Sequence, residues 1–303
     1  PCANGYISFN ALLILARHFV TCMWYPENSW PNVNGVASCK WVLPIFTISL
    51  NWLAFLPKVF SKEETELLKK ESENVYSLKR KEVWRESSGV ARTAFAAHTY
   101  NEAFKRLGAH PRLLNPVKQI LGGDVYMHQF KVNAKAAFDG DVWQWHQDFG
   151  VWHRDDQMPE PRAMNISVFV DDVTAANGPL LFIPGSHKLG VVEAGHDLKT
   201  TSYPLWTLSR DKVTELADRG GCVAPTGPAG SMLLFSSLLV HASPPNISPF
   251  GRTIVYLSLC HVENHIRAFK REEWIAHRNF DPIVALKDSC LTDLINEKLT
   301  AAE

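Results

Sequence analysis

The 303-residue chain has no excess charge of either sign: 31 Lys and Arg balance 31 Asp and Glu, and charged residues make up only 20 % of it. That excludes the electrostatic footprint of a nucleic-acid binder and the polybasic patch of a membrane-surface protein, so neither partner is expected. Paired cysteines are lacking too, because Cys2, Cys22, Cys39, Cys222, Cys260 and Cys290 are scattered without a C-x-x-C spacing. Neither a disulfide framework nor a zinc ribbon is indicated, and separate reduced thiols suit a cytoplasmic protein. There is no G-x-x-x-x-G-K-[ST] loop, no G-x-G-x-x-G after a strand and no G-x-S-x-G elbow. The commonest phosphate, dinucleotide and serine-hydrolase signatures are therefore missing.

Charge is scarcest at the start of the chain. Arg17, Glu27 and Lys40 are the only charged residues before Pro57, whereas the remainder carries 30 acidic and 29 basic side chains. Two apolar stretches lie there, Ala11 to Val20 and Trp41 to Leu56, but the first is short and the second is broken by Pro44, Thr47, Ser49 and Asn51. Neither reaches the roughly 18 uninterrupted apolar residues of a spanning helix. Residues 1–57 therefore read as an atypical apolar extension, poorly ordered except where its Trp and Leu side chains dock. Residues 58–303 read as a single domain.

That domain opens on Ser61-Lys62-Glu63-Glu64, a capping box that predicts a helix from about Lys62 to Tyr76. A second helix should begin at Pro111 and stop at Gly122-Gly123. The period then changes to two: Val125, Met127, Gln129, Lys131 and Asn133 alternate with Tyr126, His128, Phe130 and Val132, as in a two-faced strand. Further strand-like runs are Val142–His146, Met164–Val170, Leu180–Ile183, Met232–Phe235 and Thr253–Cys260. A few helices followed by many short strands predict a mainly β, α+β fold: a barrel or double-sheet jelly roll with helices packed outside.

The chemistry that remains is histidine and carboxylate. His146-Gln147-Asp148 ends a strand, and alternation points His146 and Asp148 to one face. These supply two legs of the 2-His-1-carboxylate arrangement of non-haem iron oxygenases. One H-x-D means little among 12 histidines, and a second copy stands at His153-Arg154-Asp155. A third leg could come from His241, which follows a strand-like run. Arg252, eleven residues later, opens the next strand, where a guanidinium can clamp a carboxylate such as the distal end of 2-oxoglutarate. Taken singly, His241 reads as a core or rim histidine and Arg252 as half of a surface ion pair. The ordered set is what carries weight.

From about Phe55 to Asn264 the chain resembles the phytanoyl-CoA dioxygenase superfamily, in particular its ectoine hydroxylase and L-proline hydroxylase branch. The resemblance lies in Gly123-Asp-Val-Tyr-Met-His-Gln-Phe-Lys-Val-Asn-Ala-Lys135 and Gly140-Asp-Val-Trp-Gln-Trp-His-Gln-Asp-Phe149, and it continues in Trp152 and Met158-Pro159. It runs on through Asn177-Gly-Pro-Leu-Leu-Phe-Ile-Pro-Gly-Ser-His187 and Gly227-Pro-Ala-Gly-Ser231 to His241. The resemblance implies a double-stranded β-helix of cupin type that binds Fe(II) and 2-oxoglutarate and uses O2 to hydroxylate a small molecule, with ascorbate as a reductant in assays. It marks His146, Asp148 and His241 as iron ligands. Arg252 is then the 2-oxoglutarate clamp, with Ser243, Asn133, Lys131 and Gln129 as hydrogen-bonding neighbours, and Trp152 and Phe235 are substrate-pocket walls. Gln147 and Asn165 lean toward proline hydroxylases, and Trp152-His153 with Met158-Pro159 toward ectoine hydroxylases. A free cyclic amino acid such as L-proline is the favoured substrate; ectoine, an acyl-CoA or a natural-product intermediate are alternatives. A non-catalytic jelly-roll binding module is the rival of another class. The role of Arg92 and the oligomeric state stay open.

Overall fold

The computed structural model describes residues 53–200 and 203–301. The expected extension lies outside the described residues up to residue 52. Its last residues do not: Leu53–Leu56 form strand β1, whose four residues pair antiparallel with Met232–Phe235. The boundary at Pro57 is thus corrected. An apolar edge strand with no charged residue looks like more of the charge-poor extension when read by composition alone.

Helix α1 (Lys62–Ser77) follows, and its capping box is complete: Ser61 Oγ accepts from the Glu64 amide at 3.2 Å while Glu64 Oε2 accepts from the Ser61 amide at 2.7 Å. Next come β2 (Val83–Arg85), β3 (Ala91–Phe95), α2 (Glu102–Gly108) and α3 (Pro111–Leu121). Pro111 opens α3, and Gly122 closes it with φ 74°, a left-handed conformation that glycine adopts without a Cβ penalty. The β region continues with β4 (Val125–Lys135), β5 (Trp143–His146), α4 (Asp148–Asp155), β6 (Ala163–Phe169), β7 (Leu181–Phe182), β8 (Gly195–Asp197) and β9 (Leu205–Thr207). The chain ends through α5 (Arg210–Gly220), β10 (Met232–Ser236), β11 (His241–Ser243), β12 (Arg252–His261) and α6 (Cys290–Thr300).

Among the described residues a seven-stranded antiparallel sheet runs β1-β10-β6-β12-β4-β3-β2, with a three-stranded sheet β5-β11-β7 and the β8-β9 hairpin beside it. The large sheet's two faces follow the period-two pattern. Ile166 and Val168 of β6, Leu234 of β10, and Val255 and Leu257 of β12 pack in one core with Leu68 of α1, Phe104 of α2 and Leu114 and Val117 of α3. The alternate positions Phe169, Leu233, Phe235, Ile254 and Tyr256 form a second core with Phe182 of β7. This is the jelly roll with helices outside that the pattern predicted. Leu68 is fully buried, so truncation to Ala should cost about 2–5 kcal/mol.

In one strand the strict alternation fails. Gln129 pairs with Ser258 but Met127 with Leu259, so His128 is the extra residue of a β-bulge in β4. Met127 therefore joins Phe130 and Val132 in the helix-side core, while Gln129, Lys131 and Asn133 line an internal cleft. No helix of the described residues is long and apolar enough to cross a membrane.

Candidate metal centre

The cleft lies over the small sheet. Strands β5 and β11 run antiparallel with His146 opposite His241, which brings the two rings to 4.2 Å between centroids. Strand β5 stops at His146, and Asp148 is already the first residue of α4, not a strand residue as the alternation suggested. The conclusion survives because the intervening Gln147 stays extended, with φ −118° and ψ 129°. Gln147 is also pinned: its Nε2 donates to the Gly190 and Leu238 carbonyls at 2.9 and 2.6 Å, and its Oε1 accepts from the Val192 amide at 2.8 Å. The strand-to-helix corner is therefore rigid.

Both imidazoles are oriented by the main chain. His146 Nδ1 lies 2.6 Å from the Gln144 carbonyl, and His241 Nδ1 lies 2.9 Å from the Leu239 carbonyl. A carbonyl can only accept, so each Nδ1 carries the proton and each Nε2 keeps its lone pair. Those lone pairs meet one carboxylate: His146 Nε2 is 3.7 Å from Asp148 Oδ1 and His241 Nε2 is 3.5 Å from Asp148 Oδ2. The three donor atoms lie within 4.8 Å of one another, and all three residues are buried. Burial, followed by the neighbouring His241, lowers the His146 pKa to about 3, and burial also lowers that of His241. Burial would raise the Asp148 pKa, but His241 and Lys131 beside it and a 2.7 Å hydrogen bond from Asn165 Nδ2 outweigh that and hold it low. Two neutral imidazoles and one carboxylate at neutral pH are a donor set suited to a divalent transition metal.

Arg252 opens β12 and is buried. Its Nε donates to the Gly178 carbonyl at 3.1 Å and its Nη2 to Ser243 Oγ at 3.1 Å, while Ser243 Oγ donates to the same carbonyl at 2.9 Å. Neither Arg252 nor Ser243 is among the residues that line the cleft; Tyr256, four residues along the same strand face, lines it together with Gln129, Lys131 and Asn133. Asn133 Oδ1 accepts from Thr93 Oγ1 at 2.5 Å, and Gln129 Nε2 is buried without a hydrogen-bond partner among the described residues. Burial lowers the Lys131 pKa.

A profile of the phytanoyl-CoA dioxygenase (PhyH) family matches residues 53–254. The chain belongs to the phytanoyl-CoA dioxygenase family. An L-proline trans-4-hydroxylase of Streptomyces griseoviridis is 36 % identical over 244 residues, covering 77 % of this chain and 91 % of that protein. An ectoine dioxygenase of Stutzerimonas stutzeri is 34 % identical over 245 residues, covering 75 % and 81 %. Among solved structures, EctD from S. alaskensis with 2-oxoglutarate and 5-hydroxyectoine aligns with a TM-score of 0.72 at 30 % identity, over 86 % of this chain and 90 % of that one. Its iron-bound form aligns with a TM-score of 0.71.

The family resemblance had offered two pocket walls, and they fare differently. Trp152 of α4 lines the cleft and packs edge-on against His128 at 4.7 Å. Phe235 does not line it; it lies fully buried behind His241, edge-on at 5.2 Å, and in contact with Phe182. His153 is outside the triad, its Nδ1 2.8 Å from the Met158 carbonyl. Arg92 is committed elsewhere: it is buried against Glu86, with Nη1 3.0 Å from both carboxylate oxygens, and its guanidinium stacks on Trp143 at 4.1 Å.

Trp143, Tyr203, Tyr256 and Arg271 line the cleft and were not singled out in the sequence. Trp143 and Tyr203 have ring centroids 5.1 Å apart and make one aromatic wall. Trp143 lies three residues before His146, so strict alternation turns it away from the cleft; a register shift between β5 and β11, which pairs His146 with His241 but Trp143 with Ser243, brings it to the cleft side. Tyr203 and Arg271 lie outside regular structure, where no periodicity points at a cleft.

Proposed function

We propose that this chain is an Fe(II)- and 2-oxoglutarate-dependent hydroxylase acting on a small cyclic amino acid, L-proline in first place, within one catalytic domain that takes in residues 58–303 and β1. The carrying observation is the buried His146, Asp148 and His241 set with both Nδ1 atoms bonded to carbonyls, because that leaves two Nε2 lone pairs and a carboxylate converging on one point. These three residues would hold Fe(II). When bound, the iron with 2-oxoglutarate supplies the oxidising chemistry: O2 is consumed, the oxo acid leaves as succinate and CO2, and one C–H of the substrate becomes C–OH.

The protein's own residues do the rest. Asn165 holds Asp148 by one carboxylate oxygen, and its Oδ1 accepts from Ser258 Oγ at 2.7 Å, so the ligand cannot rotate freely. Arg252, steadied by Gly178 and Ser243, is the bidentate donor for the distal carboxylate of 2-oxoglutarate. Gln129, Lys131 and Asn133 supply donors along the same inner face. On the substrate side, Arg271 offers a guanidinium to a carboxylate, and Trp143, Trp152 and Tyr203 offer aromatic faces to a cationic ring nitrogen. A carboxylate with a protonated ring nitrogen is the chemistry of proline. Asp148 also occupies with oxygen the position that a halogenating site would need open for halide.

The experiment is succinate formation by anaerobically reconstituted protein after O2 is admitted, with L-proline, pipecolate or ectoine in turn. L-proline should stimulate strongly. Stimulation by ectoine alone would keep the iron site and move the substrate to the one in the name of the ectoine dioxygenase relatives; no succinate and no bound iron would leave a jelly-roll binding module.

A further inference from the structure

Asp156 is a fully buried acid that no step above uses. It caps the C-terminus of α4, eight residues after Asp148 opens that helix, and its own amide closes the helix by donating to the Trp152 carbonyl at 3.0 Å. It then does two things to a distant segment. Its backbone carbonyl accepts from the Arg267 and Ala268 amides at 3.0 and 2.9 Å. Its carboxylate accepts from Arg271 Nε at 2.8 Å and from Nη2 of the same guanidinium. His128, the bulge residue of β4, stands behind it with Nε2 3.5 Å from Oδ2.

The segment held this way, residues 265–271, contains no helix or strand, so the position from which Arg271 reaches the cleft depends on such bonds. A guanidinium has five donors, and Asp156 takes only the Nε side. The other edge remains for a ligand in the cleft that Arg271 lines.

We propose that Asp156 is a positioning residue for substrate selectivity: by clamping Arg271 from the far end of the helix that carries Asp148, it fixes how far the carboxylate anchor stands from the metal centre. An eight-residue helical rise is about 12 Å, and a two-turn helix is stiff on that scale. Which ring carbon faces the metal is therefore set by this helix and by the reach of one carboxylate. The proposal rests on the reading of Arg271 as the carboxylate anchor. It differs from it in naming what sets the anchor's position.

The test compares Asp156→Glu, Asp156→Asn, Arg271→Gln and the double Asp156→Asn/Arg271→Gln variant. Readouts are L-proline binding by calorimetry, the KM values of L-proline and 2-oxoglutarate, and the ratio of hydroxyproline regioisomers. Asp156→Glu lengthens the clamp by one methylene and should change the regioisomer ratio or raise the succinate formed per hydroxyproline at least threefold. Asp156→Asn should raise the L-proline KM about tenfold and leave the 2-oxoglutarate KM within twofold. The double variant should bind L-proline no more weakly than Arg271→Gln alone, since Asp156 acts through Arg271. The double variant also removes both charges of the pair, the buried Asp156 and the half-buried Arg271, which keeps the comparison available if Asp156→Asn is too unstable alone. Wild-type product ratio and coupling in Asp156→Glu, or further loss of binding in the double variant beyond Arg271→Gln, would overturn the positioning role. Unchanged L-proline binding in Arg271→Gln would instead overturn the anchor reading on which it rests.

Discussion

Asn165→Ala perturbs the metal centre without touching a metal ligand. Asn165 is buried, donates to Asp148 Oδ2 at 2.7 Å and accepts from Ser258 Oγ at 2.7 Å. Removing a hydrogen bond to an ionised group costs about 1.5–3 kcal/mol, so iron affinity should fall by about one to two orders of magnitude. Ser258 Oγ loses its acceptor in the same variant, which should cost about a further 1–3 kcal/mol of folding stability. The two effects separate through Ser258→Ala, which leaves the Asn165 to Asp148 bond in place: stability should move and iron affinity should change little. The assay is anaerobic titration of apo-protein with Fe(II) against a competing chelator, alongside urea unfolding. Iron affinity within twofold of wild type in Asn165→Ala, while Asp148→Ala loses the metal, would refute the claim that this amide holds the carboxylate in its ligating position.

Other outcomes follow from the same geometry. Arg252→Gln should raise the KM for 2-oxoglutarate about ten- to a hundredfold with little change in L-proline binding, since charge-assisted bonds are worth about 1.5–3 kcal/mol; steady-state kinetics with each substrate varied checks this. Gly178→Ala forces a side chain onto φ +76° and sets its Cβ 3.0 Å from the Pro244 carbonyl oxygen, so stability should drop by about 1–3 kcal/mol in urea unfolding. The 2-oxoglutarate KM should rise with it, because the Gly178 carbonyl orients Arg252. Burial, with His98 next to it, lowers the His277 pKa to about 3. Its unfolded form takes up a proton near pH 6.5 and its folded form does not, so stability is full above that pH and is lost as pH falls toward 3. Between pH 7 and 5 this one residue should account for about 2 kcal/mol of lost stability, read as a shallower pH dependence of unfolding in His277→Phe.

What was legible in the sequence was whatever local chemistry dictates. The Ser61 box and the Pro111 to Gly122 punctuation marked their helices because caps are satisfied within a few residues. The β4 face that carries Gln129, Lys131 and Asn133 was readable from period two, but only up to the bulge at His128, where one extra residue exchanges the faces. His146 and Asp148 were readable as a pair, although Asp148 is helical, because an extended Gln147 preserves the side-chain direction. Other features depend on partners far away in sequence. Strands of three residues such as β2 and β11 are too short for a period to register, and Tyr203 and Arg271 reach the cleft from irregular segments. Arg271 meets Asp156 across 115 positions, so no local pattern could place either. Phe235 shows the converse: an aromatic residue on an inward-facing strand position met His241 before it could reach the cleft.

The most direct test of the central claim follows the oxygen atoms. Protein reconstituted with Fe(II) and 2-oxoglutarate is given 18O2 and the panel compound that drives the fastest turnover, and both products are analysed by mass spectrometry. The account predicts one 18O in the succinate and one in the new hydroxyl group of the other product, formed in equal amounts and both absent in Asp148→Ala. Product formed without labelled succinate, or equal turnover in Asp148→Ala, would contradict it.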